Sequence, residues 1–195
     1  MEPLDALRAF RRSFYECLYR RGDALFELTD AILAADDAVP SPAHLSLQAP
    51  HRRGWGSLYA ALDRGRIDVE ALRSLLACHP LDGSETPVYA VDASVWARCD
   101  AECSPERGFY YHPSRHSAGQ PIVAGWAYQF IAQLNFVRES WTAPMDVERI
   151  CPAQDANEIA CGQVKVLLER LGKEECVPLF VFDAGYDPVE ATAGA

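Results

Sequence analysis

Apolar and polar positions along this chain follow two different periods, and the change from one to the other divides it. Over residues 3 to about 36, Leu4, Leu7, Phe10, Phe14, Leu18, Leu25, Leu28 and Ile32 recur at the spacing of one helical face. Pro3 suits a first-turn position, so the pattern predicts one long amphipathic helix. Asp36 to Pro50, with Pro40, Pro42 and Pro50, reads as a turn-rich connector. A helical pair follows: Gly56 to Leu62, a turn at Asp63-Arg64-Gly65-Arg66, and a second helix capped by Asp68 that runs through Leu72, Leu75 and Leu76 before Pro80. Two short helices about a Gly-containing turn fit a helix-turn-helix, although helical domains use that pattern generally. The polar segment Leu81 to Pro87 is a natural boundary between a helical domain, residues 1–80, and a second domain, residues 81–195.

Beyond Pro87 the period shortens. Val88 to Trp96 and Val177 to Asp187 are runs of β-branched, aromatic and aliphatic residues, each containing an Asp followed by small residues, Asp92-Ala93 and Asp183-Ala184. They read as strands buried on both faces that end at their Asp. Between them lie an irregular insertion from Ala97 to about Pro121 and a hairpin of Ala127–Leu134 with Trp141–Ile150, whose Pro144 pushes the second strand towards an edge or bulge. A helix capped by Asp155, with Ile159, Val164, Val166, Leu167, Leu168 and Leu171, is closed by Gly172. The predicted order is strand, hairpin, helix, strand. The fold class is α/β: an N-terminal α-helical domain followed by a mixed sheet.

Composition narrows the class. With 195 residues, 49% hydrophobic and 24% charged, the chain is globular. No apolar run reaches the ~20 residues of a membrane span. Met1-Glu2-Pro3-Leu4-Asp5 lacks the basic and apolar regions of a signal peptide, so a cytoplasmic protein without membrane association is expected. Its seven cysteines, an odd number, are then expected as thiols. The net charge of −10 argues against a broad basic footprint for nucleic acid. The charge is uneven: residues 1–80 carry 10 Arg and 11 acidic residues, a balance of −1, and residues 81–195 carry 8 basic against 17 acidic, a balance of −9. The acidity lies with the two Asp-bearing strands.

Those Asp residues are the candidate chemistry. Ligands of open α/β sheets bind beyond the carboxyl ends of strands, so Asp92 and Asp183 meet at one site if their strands are neighbours. Paired carboxylates are hard ligands for Mg²⁺ or Mn²⁺, ions that activate water and stabilise a leaving oxygen in phosphodiester chemistry. Cys99-x3-Cys103 with His112-x3-His116 has outer spacings that suit zinc. Its eight-residue middle gap is shorter than the ~12 of a zinc finger, and zinc is the lesser expectation beside a plain loop of two thiols and two imidazoles, or His residues and Arg115 contacting phosphate in the nuclease cleft. Trp126, Tyr128, Trp141 and Tyr186 flank the site as core aromatics or as base-stacking platforms. Arg8, Arg11, Arg12, Arg20 and Arg21 lie off the first apolar stripe, a solvated face or a phosphate-contacting one with Arg8 and Arg12 as its candidates. A phosphate-binding Gly-rich loop, a nucleophile elbow and His-Glu-x-x-His are absent, which removes those classes.

Several blocks, in order, resemble one family. Tyr89-Ala90-Val91-Asp92, Ser104-Pro105-Glu106-Arg107, Pro121 through Gly125-Trp126-Ala127-Tyr128, Ser140-Trp141-Thr142-Ala143-Pro144 and Val181-Phe182-Asp183-Ala184-Gly185-Tyr186-Asp187 resemble a DDE-superfamily insertion-sequence transposase over roughly residues 55 to 190. The resemblance implies an RNase H-like endonuclease domain whose Asp-Asp-Glu triad binds two divalent metals and performs DNA cleavage and strand transfer at transposon ends. It makes Asp92 the first acid and Asp183 the second. In the family the third acid lies on a helix well downstream, whereas this chain stops twelve residues past Asp183 and no residue matches it. Glu190 is too close to Asp183. Glu158 is a substitute by likeness to RNase H proper, where the helix after the hairpin supplies a Glu, set against its plain reading as a favourable charge at a helix N-terminus. The expectation is a truncated transposase, or alternatively a catalytically inactive remnant acting at most as a DNA- or partner-binding protein. With the next strand missing, Leu179–Asp183 is expected to form a sheet edge that favours self-association or pairing with a full-length transposase.

Overall fold

The first predicted helix is broken at Arg21, whose backbone adopts the left-handed region at φ 55° in the computed structural model. The structure describes residues 3–81, 86–111, 122–136, 142–172, 177–183 and 185–186. In place of one long helix there are two, α1 (Pro3–Glu16) and α2 (Gly22–Leu33). Their stripes fold onto each other: the Phe14 and Tyr15 rings meet Phe26 at 5.9 and 5.4 Å, and the Arg11 guanidinium forks onto Asp30 at 2.7 and 2.9 Å. A reversal of a few residues leaves the apolar phase of both helices intact, which is why periodicity alone did not reveal it. A short α3 (Pro42–Leu45), capped by Ser41, lies in the predicted connector. Then come α4 (Trp55–Arg64) and α5 (Val69–Ala77), where Asp68 accepts a hydrogen bond from the Ala71 N–H at 3.0 Å as expected of a cap. Leu28, Ala31, Leu45 and Leu58 form the core of these helices.

The chain divides into two compact units, residues 1–75 and 76–195. The second is built on β1 (Val88–Ala97), β2 (Gly108–Tyr111), β3 (Ile122–Leu134), β4 (Thr142–Ile150), α6 (Ala156–Leu171) and β5 (Leu179–Phe182). β3 pairs antiparallel with the whole of β1, from Val88↔Leu134 to Ala97↔Gly125. On its other side β3 carries β2 at one end and β4 at the other. β5 lies parallel to β1, giving the order β2-β3-β1-β5 with β4 beside β3. The predicted order of strand, hairpin, helix and strand is present in a mixed sheet. The hairpin's register slips between Ile131 and Ala132, where Asp146 and then Pro144 are the partners, so Pro144 sits beside a bulge on an edge strand as its missing N–H requires.

Three expectations need correction. The segment read as an irregular insertion contains β2, whose four residues are too few to carry a period. β1 does not end at Asp92 but continues to Ala97, because β3 supplies ladder partners all the way along. Gly125 lets the strands come this close, since a Cβ there would run into the Trp96 carbonyl oxygen. The strands are also not buried on both faces. Tyr89 and Val91 are enclosed with Ile131, Met145 and the α6 residues Ala160 and Leu167, while Asp92, Ala93 and Ser94 are exposed. Each large core side chain contributes about 1.5–3 kcal/mol through burial. α6 begins at its predicted cap, with Asp155 accepting from the Asn157 N–H at 2.7 Å, and ends at Gly172 with φ 75°.

Candidate metal-binding carboxylate pair

The ladder between β1 and β5 ends at Val91↔Phe182. Asp92 and Asp183 are the next residue on each strand. Hydrogen-bonded strands run about 5 Å apart, so the two residues lie at neighbouring backbone positions where β5 stops and β1 goes on. Both residues are exposed, and among the described residues neither has an ion-pair partner. Two unit charges at that spacing repel by about 1 kcal/mol in water and about 3 kcal/mol at an effective dielectric of 20. A divalent cation relieves that repulsion. Exposed, unneutralised, hard oxygen donors fit Mg²⁺ or Mn²⁺ better than any softer ion.

The turn after β5 shapes the second carboxylate. Asp183 Oδ1 accepts from the Gly185 N–H, and the Asp183 carbonyl accepts from the Tyr186 N–H at 3.3 Å. This is the Asx-type turn chemistry that Asp-Ala-Gly offers. Tyr186 follows with its ring against Phe182, centroids 5.5 Å apart, and its hydroxyl donates to Gln129 Oε1 at 2.7 Å. Gln129 is wholly buried on β3, opposite Ala93. Burial pushes the Tyr186 phenol up, against the opposing pull of its hydrogen bond to Gln129, and the negative charges of Asp92 and Asp183 add to the rise.

The other candidates fall apart from this pair. Glu158 is exposed in the first turn of α6. Among the described residues no three His, Cys, Asp or Glu side chains come together to hold a metal ion. Cys99 is half-buried and Cys103 exposed, neither in a disulfide, while His112, Arg115 and His116 lie outside the described residues, as do Trp141 and Glu190. Arg8 is exposed and pairs with Asp5 at 3.0 Å; Arg12 is exposed on the same helix. Trp126 donates its indole N–H to the Pro105 carbonyl at 3.1 Å and lies under the Arg149 guanidinium.

Tyr128 lines a groove of about 330 Å³ with Ser94, Trp96, Phe130 and Val147. By strand alternation Ser94 and Trp96 share the face of Asp92. Trp96 and Phe130 were not among the aromatics picked from the sequence. Their signal was there in the i, i+2, i+4 spacing of Asp92, Ser94 and Trp96, once β1 is known to continue. Gln129 gave no signal, because nothing local links it to a turn 54 positions later.

A family model described as DDE superfamily endonuclease matches residues 13–192, and the chain belongs to that family. No curated protein and no solved structure matches it. The mixed α/β architecture is consistent with the RNase H-like fold of DDE enzymes. Endonucleases of this superfamily generally depend on divalent metals. No helix among the described residues is long and apolar enough to cross a membrane.

Proposed function

We propose that this DDE superfamily endonuclease is of the insertion-sequence transposase type and that Asp92 and Asp183 are its first two metal-binding acids. The observation that carries the reading is the parallel pairing of β1 and β5 up to Val91↔Phe182, after which Asp92 and Asp183, 91 positions apart in sequence, are the next residues on each strand. Gly185 N–H holds one oxygen of Asp183 and leaves the other available to a cation. Asp92 lies on a strand paired with β3 along its length and with β5 up to Val91, so little order is lost when a metal binds. Bound there, Mg²⁺ or Mn²⁺ supplies the activation of water, and then of a 3′-hydroxyl, for in-line attack on DNA phosphate. Glu158 is the candidate further ligand. DNA phosphates, transposon ends in the full reaction, are the substrate, with Arg8, Arg12 and Arg115 as candidate backbone contacts.

The experiment is Mg²⁺- or Mn²⁺-dependent cleavage of end-labelled DNA by the purified chain, beside Asp92→Ala. Cleavage lost in the variant supports the reading. Equal cleavage by both proteins removes Asp92 from the chemistry. A second reading is an inactive relative that binds DNA ends or a partner transposase through residues 1–80. It is favoured by the charge balance of −9 over residues 81–195 against −1 over residues 1–80. DNA retained in a mobility-shift assay by protein that does not cut, in either metal, supports that alternative.

A further inference from the structure

The backbone ladder that fixes β5 against β1 stops one residue short of Asp183. What holds that carboxylate beside Asp92 must therefore lie in the turn. The turn's own hydrogen bonds, Gly185 N–H to Asp183 Oδ1 and Tyr186 N–H to the Asp183 carbonyl, set its shape but tie it to nothing outside itself. Like charges on Asp92 and Asp183 push the turn outward whenever no cation sits between them. Two contacts of Tyr186 oppose this: its ring packs against Phe182 and the buried core, and its hydroxyl reaches further. The Tyr186 hydroxyl donates to Gln129 Oε1 at 2.7 Å, and Gln129 is on β3, which lies on the far side of β1 from β5. The bond therefore spans the central strand and ties the end of β5 to the most fully paired strand of the sheet.

Both ends of this tie are anchored. Gln129 is wholly buried, and its strand is flanked by β1 and β4 at that position, where Ala93 and Glu148 are its partners. The Tyr186 ring is wedged edge-on against Phe182, the last residue of β5, which packs against the core of Tyr89, Val91 and Ile131. A Phe at position 186 would keep that ring contact and lose only the tie, which separates anchoring from packing.

We propose that Tyr186 is a positioning residue for the metal centre: its hydroxyl, held by Gln129, latches the Asp183–Tyr186 turn and keeps the Asp183 carboxylate beside Asp92 in the absence of metal. This rests on the reading of Asp92 and Asp183 as a cation-binding pair. Residues that orient metal ligands typically change metal affinity by 10- to 100-fold when removed, and the latch is expected to act at the lower end of that range.

The test is Mn²⁺ affinity of the full chain, followed by the electron paramagnetic resonance signal of free Mn²⁺, for the wild type, Tyr186→Phe and Asp92→Asn, with melting temperatures measured in parallel. The expected result is that Asp92→Asn abolishes the site while Tyr186→Phe weakens it about tenfold with melting unchanged. If Tyr186→Phe binds Mn²⁺ as the wild type does while Asp92→Asn does not, the latch is overturned and the carboxylate pair stands. If Asp92→Asn binds as well as the wild type, the pair itself is overturned and the latch with it. Should Tyr186→Phe melt early, Gln129→Met removes the acceptor, keeps the phenol, and is read the same way.

Discussion

The helical unit and the sheet unit differ in how their most prominent charges are placed. In residues 1–75 several arginines find carboxylates: Arg11 takes Asp30 in a two-pronged contact while lying 4.6 Å from the Phe26 ring, Arg53 takes Glu27 and Asp23, and Arg8 takes Asp5. In residues 76–195 Arg98 and Asp100 pair at 3.0 Å and Arg149 reaches Glu106, yet the two acids at the junction of β1 and β5 stand without a basic partner among the described residues. A matched charge does structural work locally and is replaceable. An unmatched pair of like charges is the feature on which the proposed cation site depends.

The contrast can be broken at its strongest point first. Asp92→Ala is expected to reduce metal-dependent DNA cleavage to background while leaving the protein folded, or slightly more stable in the absence of metal because one repulsive partner is gone. Circular dichroism melting with and without Mn²⁺ checks this, and a variant markedly less stable than the wild type without metal would contradict it. Next in size is Ile131→Ala, which empties a fully buried position between α6 and the sheet. Urea denaturation should record a loss of about 2–5 kcal/mol. Arg11→Ala tests the matched side of the comparison. Its guanidinium is partly exposed, so the pair and ring contact together are worth only about 1 kcal/mol, a loss that should shrink as salt is raised.

The smallest expected effect concerns thiols. Burial pushes the Cys17 thiol up, and nearby Asp68 and Glu16 add to the rise, so less thiolate is present at any given pH. Cys78 and Cys103 are exposed. Alkylation at pH 8 followed by peptide mapping should label Cys78 and Cys103 well before Cys17. Simultaneous labelling would mean that α1 frays where Cys17 follows it.

The sequence by itself determined the elements with strong local signals. Asp68 and Asp155 mark helix starts because a short acidic side chain can reach the N–H groups of a first turn, and Gly172 marks a stop because it accepts a positive φ. The alternation of Tyr89 and Val91 with smaller or polar neighbours marks a strand, and an Asp at a strand end is legible as a candidate ligand. The break at Arg21 was hidden because the folded-back helices stay in phase, and β2 because four residues carry no period.

Only the tertiary structure decided that β5 lies parallel to β1 with Asp92 and Asp183 each following the last pair Val91↔Phe182, that β1 runs on past its acid, and that Tyr186 reaches Gln129 across an intervening strand. Strand neighbours and register are fixed by which faces can be buried together and by where backbone partners run out. Those are properties of residues far apart in the chain, and no local pattern encodes them.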